Sequence, residues 1–118
     1  MSPKRPPVTT HVLDLSRGTG AEGIPVALEH LESNLEWRQV TRAETDPDGR
    51  VMEWLPPDFA LEKGTYRLAF RLTTYFQSQG VIPFFPLAEV TFTVSEPEEH
   101  HHIPLLLSPY GYSTYRGT

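Results

Sequence analysis

The chain has 118 residues, a length typical of a single domain that builds one modest hydrophobic core. Its 10 Lys and Arg against 15 Asp and Glu give a formal net charge of −5, which excludes the basic stripe of a general nucleic-acid-binding protein. The absence of cysteine excludes disulfides, cysteine nucleophiles and thiolate zinc sites. Twelve prolines and eight glycines between short apolar runs indicate many turns and favour an all-β fold.

The N-terminal region carries Lys4 and Arg5, but no apolar stretch follows them. It therefore lacks the pattern of a signal peptide, and we expect a cytoplasmic protein. No window is apolar enough to span a membrane as a helix. We predict that residues 1–8 form a flexible arm and that residues 9–118, which contain no repeat or linker, form one domain.

Alternation of apolar and polar residues predicts most of the strands. In residues 65–72, Tyr66, Leu68 and Phe70 fall on one face and polar residues on the other, a period typical of a half-buried strand. Further strands are predicted at residues 10–15, 24–32, 36–45, 50–55, 87–94 and 100–108, and after a turn at 109–111. Turn signals stand at residues 17–20, 46–49 and 62–64.

Residues 73–79 break the alternation and end at Gly80, so we predict a short helix that this glycine terminates. Pro83 and Pro86 exclude a central strand between the helix and the strand that follows. We therefore expect about eight short strands and one short helix. Two packed antiparallel sheets, an all-β two-sheet sandwich, are the natural arrangement of these elements.

Three of the five histidines are consecutive. In an extended strand His101 shares its face with Ile103 and Leu105, and we assign this more apolar face to the core. His100 and His102 then point outward, where two imidazoles can act as acid–base groups, metal ligands or a pH-sensitive contact. A solvated start of the strand is the simpler alternative. A zinc site would need a third ligand that no spacing indicates.

The remaining candidate residues carry weaker signals when each is taken alone. His11 lies in the first predicted strand, where a lone histidine is more typical of a surface than of a catalyst. His30 and His101 are interpreted as structural. Arg50 follows a turn and by itself is typical of a surface charge. Arg116 stands two residues from the C-terminus and could pair with the terminal carboxylate or with an anionic ligand.

Four segments, taken together and in order, carry a resemblance to a known family. They are residues 11–14 (HVLD), 45–50 (TDPDGR), 100–109 (HHHIPLLLSP) and 112–118 (YSTYRGT). In these segments the chain resembles the 5-hydroxyisourate hydrolases, the transthyretin-related enzymes of urate degradation. The ending is the most specific part of the resemblance, because the hydrolases end in Tyr-Arg-Gly-Ser and the hormone-carrying transthyretins do not.

This resemblance implies a fold, an assembly and a reaction. The fold is the transthyretin-like β-sandwich. The assembly is a homotetramer, a dimer of dimers with its sites in a channel at the dimer–dimer interface. The reaction opens one ring amide of 5-hydroxyisourate with water and yields 2-oxo-4-hydroxy-4-carboxy-5-ureidoimidazoline. The expected partner is this small purine-derived substrate, and neither nucleic acid nor a membrane is expected to bind. No metal or other cofactor is expected to take part in the reaction.

By the same resemblance, individual residues have expected roles. The catalytic residues are His11, Arg50 and His102. The substrate-binding residues are Tyr115, Arg116, Gly117 and Thr118. The residues that could line the channel are Leu13, His100, Pro104, Leu106 and Ser113. A histidine would deprotonate the attacking water, and which of the two does so is left open.

The chain departs from the family pattern at two notable positions. Thr118 stands where serine is usual, which keeps a hydroxyl, and His101 stands where an aromatic residue is usual. Two other functions stay open. One is a transthyretin-type protein that binds a small aromatic ligand without catalysis, and the other is a sandwich that binds metal through His100 and His102.

Overall fold

The computed structural model describes residues 5–118, and their strands form two sheets with a short helix beside them. In chain order the strands are β1 (Val8–Asp14), β2 (Thr19–Gly20), β3 (Pro25–Leu31), β4 (Trp37–Glu44), β5 (Arg50–Val51), β6 (Gly64–Arg71), β7 (Leu87–Val94), β8 (His101–Ser108) and β9 (Gly111–Thr114). Helix α1 spans Thr73–Gln77. The predicted all-β sandwich with one short helix is confirmed, and the two-residue strand β2 is an addition to it.

The first sheet is built around β1. On one side β8 pairs with β1, and β9 follows β8 in an antiparallel hairpin. Along the other edge of β1 lie β2 and β5. Strands β1 and β8 run parallel, which corrects the expectation that both sheets are purely antiparallel. A parallel pair needs a long connection, and here the whole second sheet lies between the two strands in the sequence.

The second sheet has the antiparallel order β4-β3-β6-β7. In β3, β6 and β7, buried residues alternate with half-buried or exposed ones, as period two requires. The largest fully buried side chains of the core between the sheets are Tyr66, Phe70, Phe76, Ile24, Leu28, Leu68, Leu72, Leu105 and Leu107. The core face predicted for β8 is confirmed, because His101, Ile103 and Leu105 are all buried.

A side-chain hydrogen bond connects helix α1 to the end of β1. The hydroxyl of Tyr75 donates to Asp14 Oδ2 at 2.6 Å. Burial alone would raise the pKa of Asp14, but hydrogen bonds from Ser16 and Tyr75 outweigh burial and hold it below its usual value. The helix ends at Gln77, two residues before the predicted end, and the chain then turns at Gly80. Among the described residues, no helix has the length and apolar character needed to cross a membrane.

Two predicted boundaries are wrong. Val8 is fully buried in β1, and Trp54 Nε1 donates to its carbonyl oxygen at 2.9 Å, so Val8 belongs to the sandwich and not to a flexible arm. Residues 1–4 of that predicted arm lie outside the described residues. The strand predicted at 50–55 is reduced to Arg50–Val51, because the chain leaves β1 and Trp54 accepts a hydrogen bond from Thr41 of β4 instead.

Candidate active site

Side chains on the outer face of the first sheet lie in rows across neighbouring strands. Thr9 of β1 lies opposite His102 of β8. His11 lies between Pro104 of β8 and Arg50 of β5. Directly opposed residues project to the same face of a sheet, and alternate residues of one strand do so as well. The structure therefore places His11, Arg50 and His102 on one face.

The turn before β5 positions Arg50. Asp46 Oδ1 accepts hydrogen bonds from the backbone N–H groups of Asp48 and Arg50, both at 2.9 Å, so Asp46 stabilises the turn. Gly49 has a φ of +82°, and a Cβ there would lie 2.3 Å from the carbonyl oxygen of Val12. Glycine is needed because it lets the turn pack directly on β1, which brings Arg50 beside the strand that carries the first histidine.

The same turn orients His11. Its Nε2 lies 2.8 Å from the carbonyl oxygen of Asp48. A carbonyl oxygen can accept a hydrogen bond but cannot donate one, so Nε2 of His11 carries a proton. In the neutral ring Nδ1 is then the atom with the free lone pair. His11 can therefore accept a proton or a hydrogen bond through Nδ1.

His102 is half-buried at the start of β8. Its Nδ1 lies 2.7 Å from Thr9 Oγ1, while its Nε2 is not buried and has no hydrogen-bond partner among residues 5–118. Burial lowers the pKa of His102 below its usual value, and the nearby charges of His100, His11 and Arg50 lower this pKa further. His102 therefore stays neutral, and able to accept a proton, at a lower pH than an ordinary histidine.

The C-terminal segment reaches His102 through Gly117. The Gly117 N–H donates to the carbonyl oxygen of His102 at 2.8 Å, and a Cβ at Gly117 would lie 2.6 Å from His102 Cδ2. Arg116 points elsewhere and pairs with Glu99, Nη2 to Oε2, at 3.1 Å between exposed side chains. Thr118 lines an open groove of about 400 Å³ together with Arg116 and Gly117.

Tyr115 lies at a different cavity. This second cavity, of about 220 Å³, is bordered by Tyr115, His101 and Ile103 and by residues of β7. The four expected substrate-binding residues are thus not gathered at one point within a single chain. Gly117 contacts His102 directly, whereas Tyr115 borders the gap between the two sheets.

The residues expected to line a channel are divided in the same way. Leu13, Leu106 and Ser113 stand in one row across β1, β8 and β9, and all three side chains are at least partly exposed. His100 precedes β8, and its Nδ1 is hydrogen-bonded to a backbone carbonyl. Pro104 is buried, which corrects its expected place on an open wall. It lies opposite His11 of β1, and the hydroxyl of Thr114 donates to its carbonyl oxygen at 2.7 Å.

Two contributors to the geometry of the site escaped the sequence reasoning. Thr9 contacts His102. It could have been found from the sequence, because it stands two residues before His11 and therefore shares the same face of β1. The carbonyl of Asp48 orients His11, and no local pattern marks a backbone group for that role. Within residues 5–118, no group of three or more His, Asp or Glu side chains is placed to hold a metal ion.

Residues 8–117 match the model of the HIUase/Transthyretin family. The chain belongs to this family. A 5-hydroxyisourate hydrolase of Salmonella dublin is 44% identical over 111 residues, which are 94% of this chain and 80% of that protein. The structure of Klebsiella pneumoniae 5-hydroxyisourate hydrolase matches with a TM-score of 0.80 at 33% identity, covering 94% of this chain and 97% of that one.

A solved structure of a protein with another name has a similar backbone. Transthyretin from Sparus aurata matches with a TM-score of 0.88 at 30% identity, covering 96% of this chain and 97% of that one. The predicted transthyretin-like sandwich is therefore confirmed. Because the backbone resembles a transthyretin as closely as it resembles a hydrolase, the side chains of the site must distinguish the two functions.

Proposed function

We propose that the chain hydrolyses 5-hydroxyisourate in urate degradation, at the outer face of its first sheet. The main support for this proposal is that His11, Arg50 and His102 lie on the same face of three adjacent strands. These side chains offer two proton acceptors and one permanent cation. Such a set suits the hydrolysis of a small, acidic, flat heterocycle, and the similarity to named 5-hydroxyisourate hydrolases supports the same reaction.

In this mechanism His102 Nε2 takes a proton from water while the water oxygen attacks the carbonyl carbon of the ring amide. His11 helps to hold that water through Nδ1. The positively charged guanidinium of Arg50 stabilises the negative oxygen that develops. The C–N bond then breaks, and its nitrogen takes the proton from the imidazolium of His102. The product is the ring-opened 2-oxo-4-hydroxy-4-carboxy-5-ureidoimidazoline.

Substrate binding is assigned to the C-terminal segment. Gly117 keeps the backbone against the imidazole, so the groups on either side of it lie near the reacting atoms. Thr118 supplies the hydroxyl that serine supplies in the family pattern. Arg116 would have to leave Glu99 to hold an acidic substrate, and this exposed ion pair costs little to break. Tyr115 lies away from His102 of its own chain, so in an assembled site it would contact substrate bound by a neighbouring copy.

The site is open to solvent in one chain, and we propose that a homotetramer, a dimer of dimers, closes it. β7 and β9 are the outermost strands of their sheets, and both border the cavity beside Tyr115. Unpaired edges of this kind can extend both sheets into a second copy. The row formed by Leu13, Leu106 and Ser113 would then face another dimer across a channel.

The decisive assay generates 5-hydroxyisourate from urate in situ and follows its absorbance with and without the protein. We expect faster decay with the protein, and a loss of roughly 100-fold or more in the His102→Gln variant, with circular dichroism and molecular mass unchanged. Unchanged decay with the unaltered protein would contradict the proposal. Saturable binding of a small aromatic ligand in that case would support the carrier function instead.

A further inference from the structure

A continuous chain of hydrogen bonds leads from the N-terminal backbone to His102. The carbonyl oxygen of Pro6 is bonded to His100 Nδ1. His100 Nε2 lies 3.3 Å from Thr9 Oγ1, and the same hydroxyl lies 2.7 Å from His102 Nδ1. The two imidazole rings are nearly parallel, with an angle of 11° and centroids 6.2 Å apart. The hydroxyl of Thr9 thus bridges the two rings.

The chemistry of the first group sets the direction of every bond in this chain. The carbonyl of Pro6 can only accept, so His100 Nδ1 carries a proton, and in the neutral ring Nε2 of His100 is an acceptor. The hydroxyl of Thr9 has a single proton, which it donates to that Nε2. The oxygen of Thr9 then accepts from His102, and the donor must be a protonated Nδ1.

We propose that Thr9 is a positioning residue that holds His102 in the Nδ1–H tautomer, so that Nε2 is the atom that accepts the proton. The inference rests on the proposed function, because it names the atom that takes a proton from the attacking water. Nε2 is then also the nitrogen of His102 that faces the substrate. In the opposite tautomer His102 would present an N–H to the water and could not deprotonate it.

Burial and strand pairing make this constraint effective. Thr9 is fully buried, so bulk water does not compete for its hydroxyl. Its backbone lies opposite His102 in the parallel pairing of β1 with β8, so the distance between the two side chains is set by the sheet. Nε2 of His102 is not buried and has no hydrogen-bond partner within residues 5–118, so its lone pair is free to accept a proton.

Replacing Thr9 by valine keeps its shape and removes both its donor and its acceptor. In imidazole ¹⁵N spectra of substrate-free protein at about pH 8, where ordinary histidines are neutral, we expect His102 as Nδ1–H in the unaltered protein. Thr9→Val should show a mixture of tautomers. Its kcat should fall about 10- to 100-fold, as for partners that orient a functional histidine, with a much smaller change in KM. Thr9→Ser keeps the hydroxyl and should restore both properties.

Thr10→Val is the matched control. Thr10 is the next residue of β1 and is also fully buried, but its hydroxyl donates to the carbonyl oxygen of Ile103 at 2.6 Å on the core side of the sheet. This variant measures the general cost of losing a buried hydroxyl from β1. It should lower the melting temperature about as much as Thr9→Val while leaving the tautomer of His102 and kcat unchanged.

The spectra test the tautomer of His102, whereas the activity assay tests the proposed function, so each can be contradicted without the other. His102 found as Nε2–H in the unaltered protein would overturn the inference, as would a Thr9→Val variant with unchanged tautomer and unchanged kcat. A fixed Nδ1–H tautomer in a protein that does not hydrolyse 5-hydroxyisourate would support the role of Thr9 in holding His102. The same result would contradict the proposed function.

Discussion

At the scale of single residues, groups without reactive atoms hold the candidate catalytic side chains in place. Gly49 lets the turn that carries Arg50 pack on β1, and Thr9 contacts one nitrogen of His102. Gly117 lies against the opposite part of the same imidazole. Since small displacements of a catalytic group cost large factors in rate, substitutions at Thr9 and Gly117 should affect turnover more than stability. A side chain at Gly49 would clash with the backbone of β1 and lower stability as well.

Gly117→Ala tests this dependence directly. A Cβ at this position would lie 2.6 Å from His102 Cδ2, so the imidazole must shift away from its present position. We expect kcat for 5-hydroxyisourate to fall about 10- to 100-fold, while the melting temperature changes by only a few degrees. Gly111→Ala in β9 is the control, because its Cβ would meet nothing nearer than Ser108 Oγ at 4.0 Å. Equal turnover in the two variants would contradict this account of Gly117.

At the scale of elements, successive side chains of β8 face two different environments. His102 faces the site, whereas His101 faces the core, where its Nδ1 is buried and has no hydrogen-bond partner within residues 5–118. Burial lowers the pKa of His101, and the charge of Arg116 lowers this pKa further. A histidine in this position therefore resists protonation in the folded state and accepts a proton readily once the chain unfolds.

The stability of the protein should consequently depend on pH. The pKa values of His101 and His102 are lower in the folded state than the unfolded value of about 6.5, so the unfolded chain binds more protons near that pH. The free energy of unfolding should then decrease as the pH falls from about 7 to about 5. Chemical denaturation at a series of pH values measures this slope.

His101→Phe removes one of the two contributions. Because it also removes an unpartnered buried nitrogen, it should raise the free energy of unfolding by about 1 kcal/mol at pH 8. The advantage over the unaltered protein should grow towards pH 5, since phenylalanine has no proton to take up. Parallel stability curves for the two proteins across this pH range would show that His101 does not contribute to the acid sensitivity.

At the scale of the whole molecule, the parallel pairing of β1 with β8 builds the site, and the edges of the sandwich suggest how it is completed. The parallel register brings the N-terminal strand beside the C-terminal half of the chain, so the site joins residues about 90 positions apart in sequence, such as Thr9 and His102. The face they form is open in one chain, and the unpaired edges of β7 and β9 are available to a second copy.

Dilution should therefore reduce activity. If a tetramer completes the site, light scattering should give the mass of four chains at working concentration. The specific activity should fall as the protein is diluted into the range where smaller species appear. A cross-linked tetramer, as the control, should keep its specific activity at the same dilutions. A fully active monomer would contradict the shared site more directly than any point substitution.

Several features of this protein are determined by local sequence. Period-two alternation placed β7 at its exact bounds and predicted which face of β8 enters the core, because the direction of a side chain along a strand depends only on its parity. The turn at residues 46–49 was predicted for a similar reason, since Asp, Pro and Gly favour turns through their own backbone preferences. The family motifs named His11, Arg50 and His102 as candidates.

The tertiary structure alone decided which of these residues meet. Strand pairing is a long-range choice, so alternation could not show that β1 lies parallel to β8 and places Thr9 opposite His102. The buried position of Val8 and the contact of Gly117 with the imidazole depend in the same way on neighbours distant in sequence. Local patterns determine where a side chain points, whereas packing between distant segments determines what it touches and hence which nitrogen of a histidine is free to react.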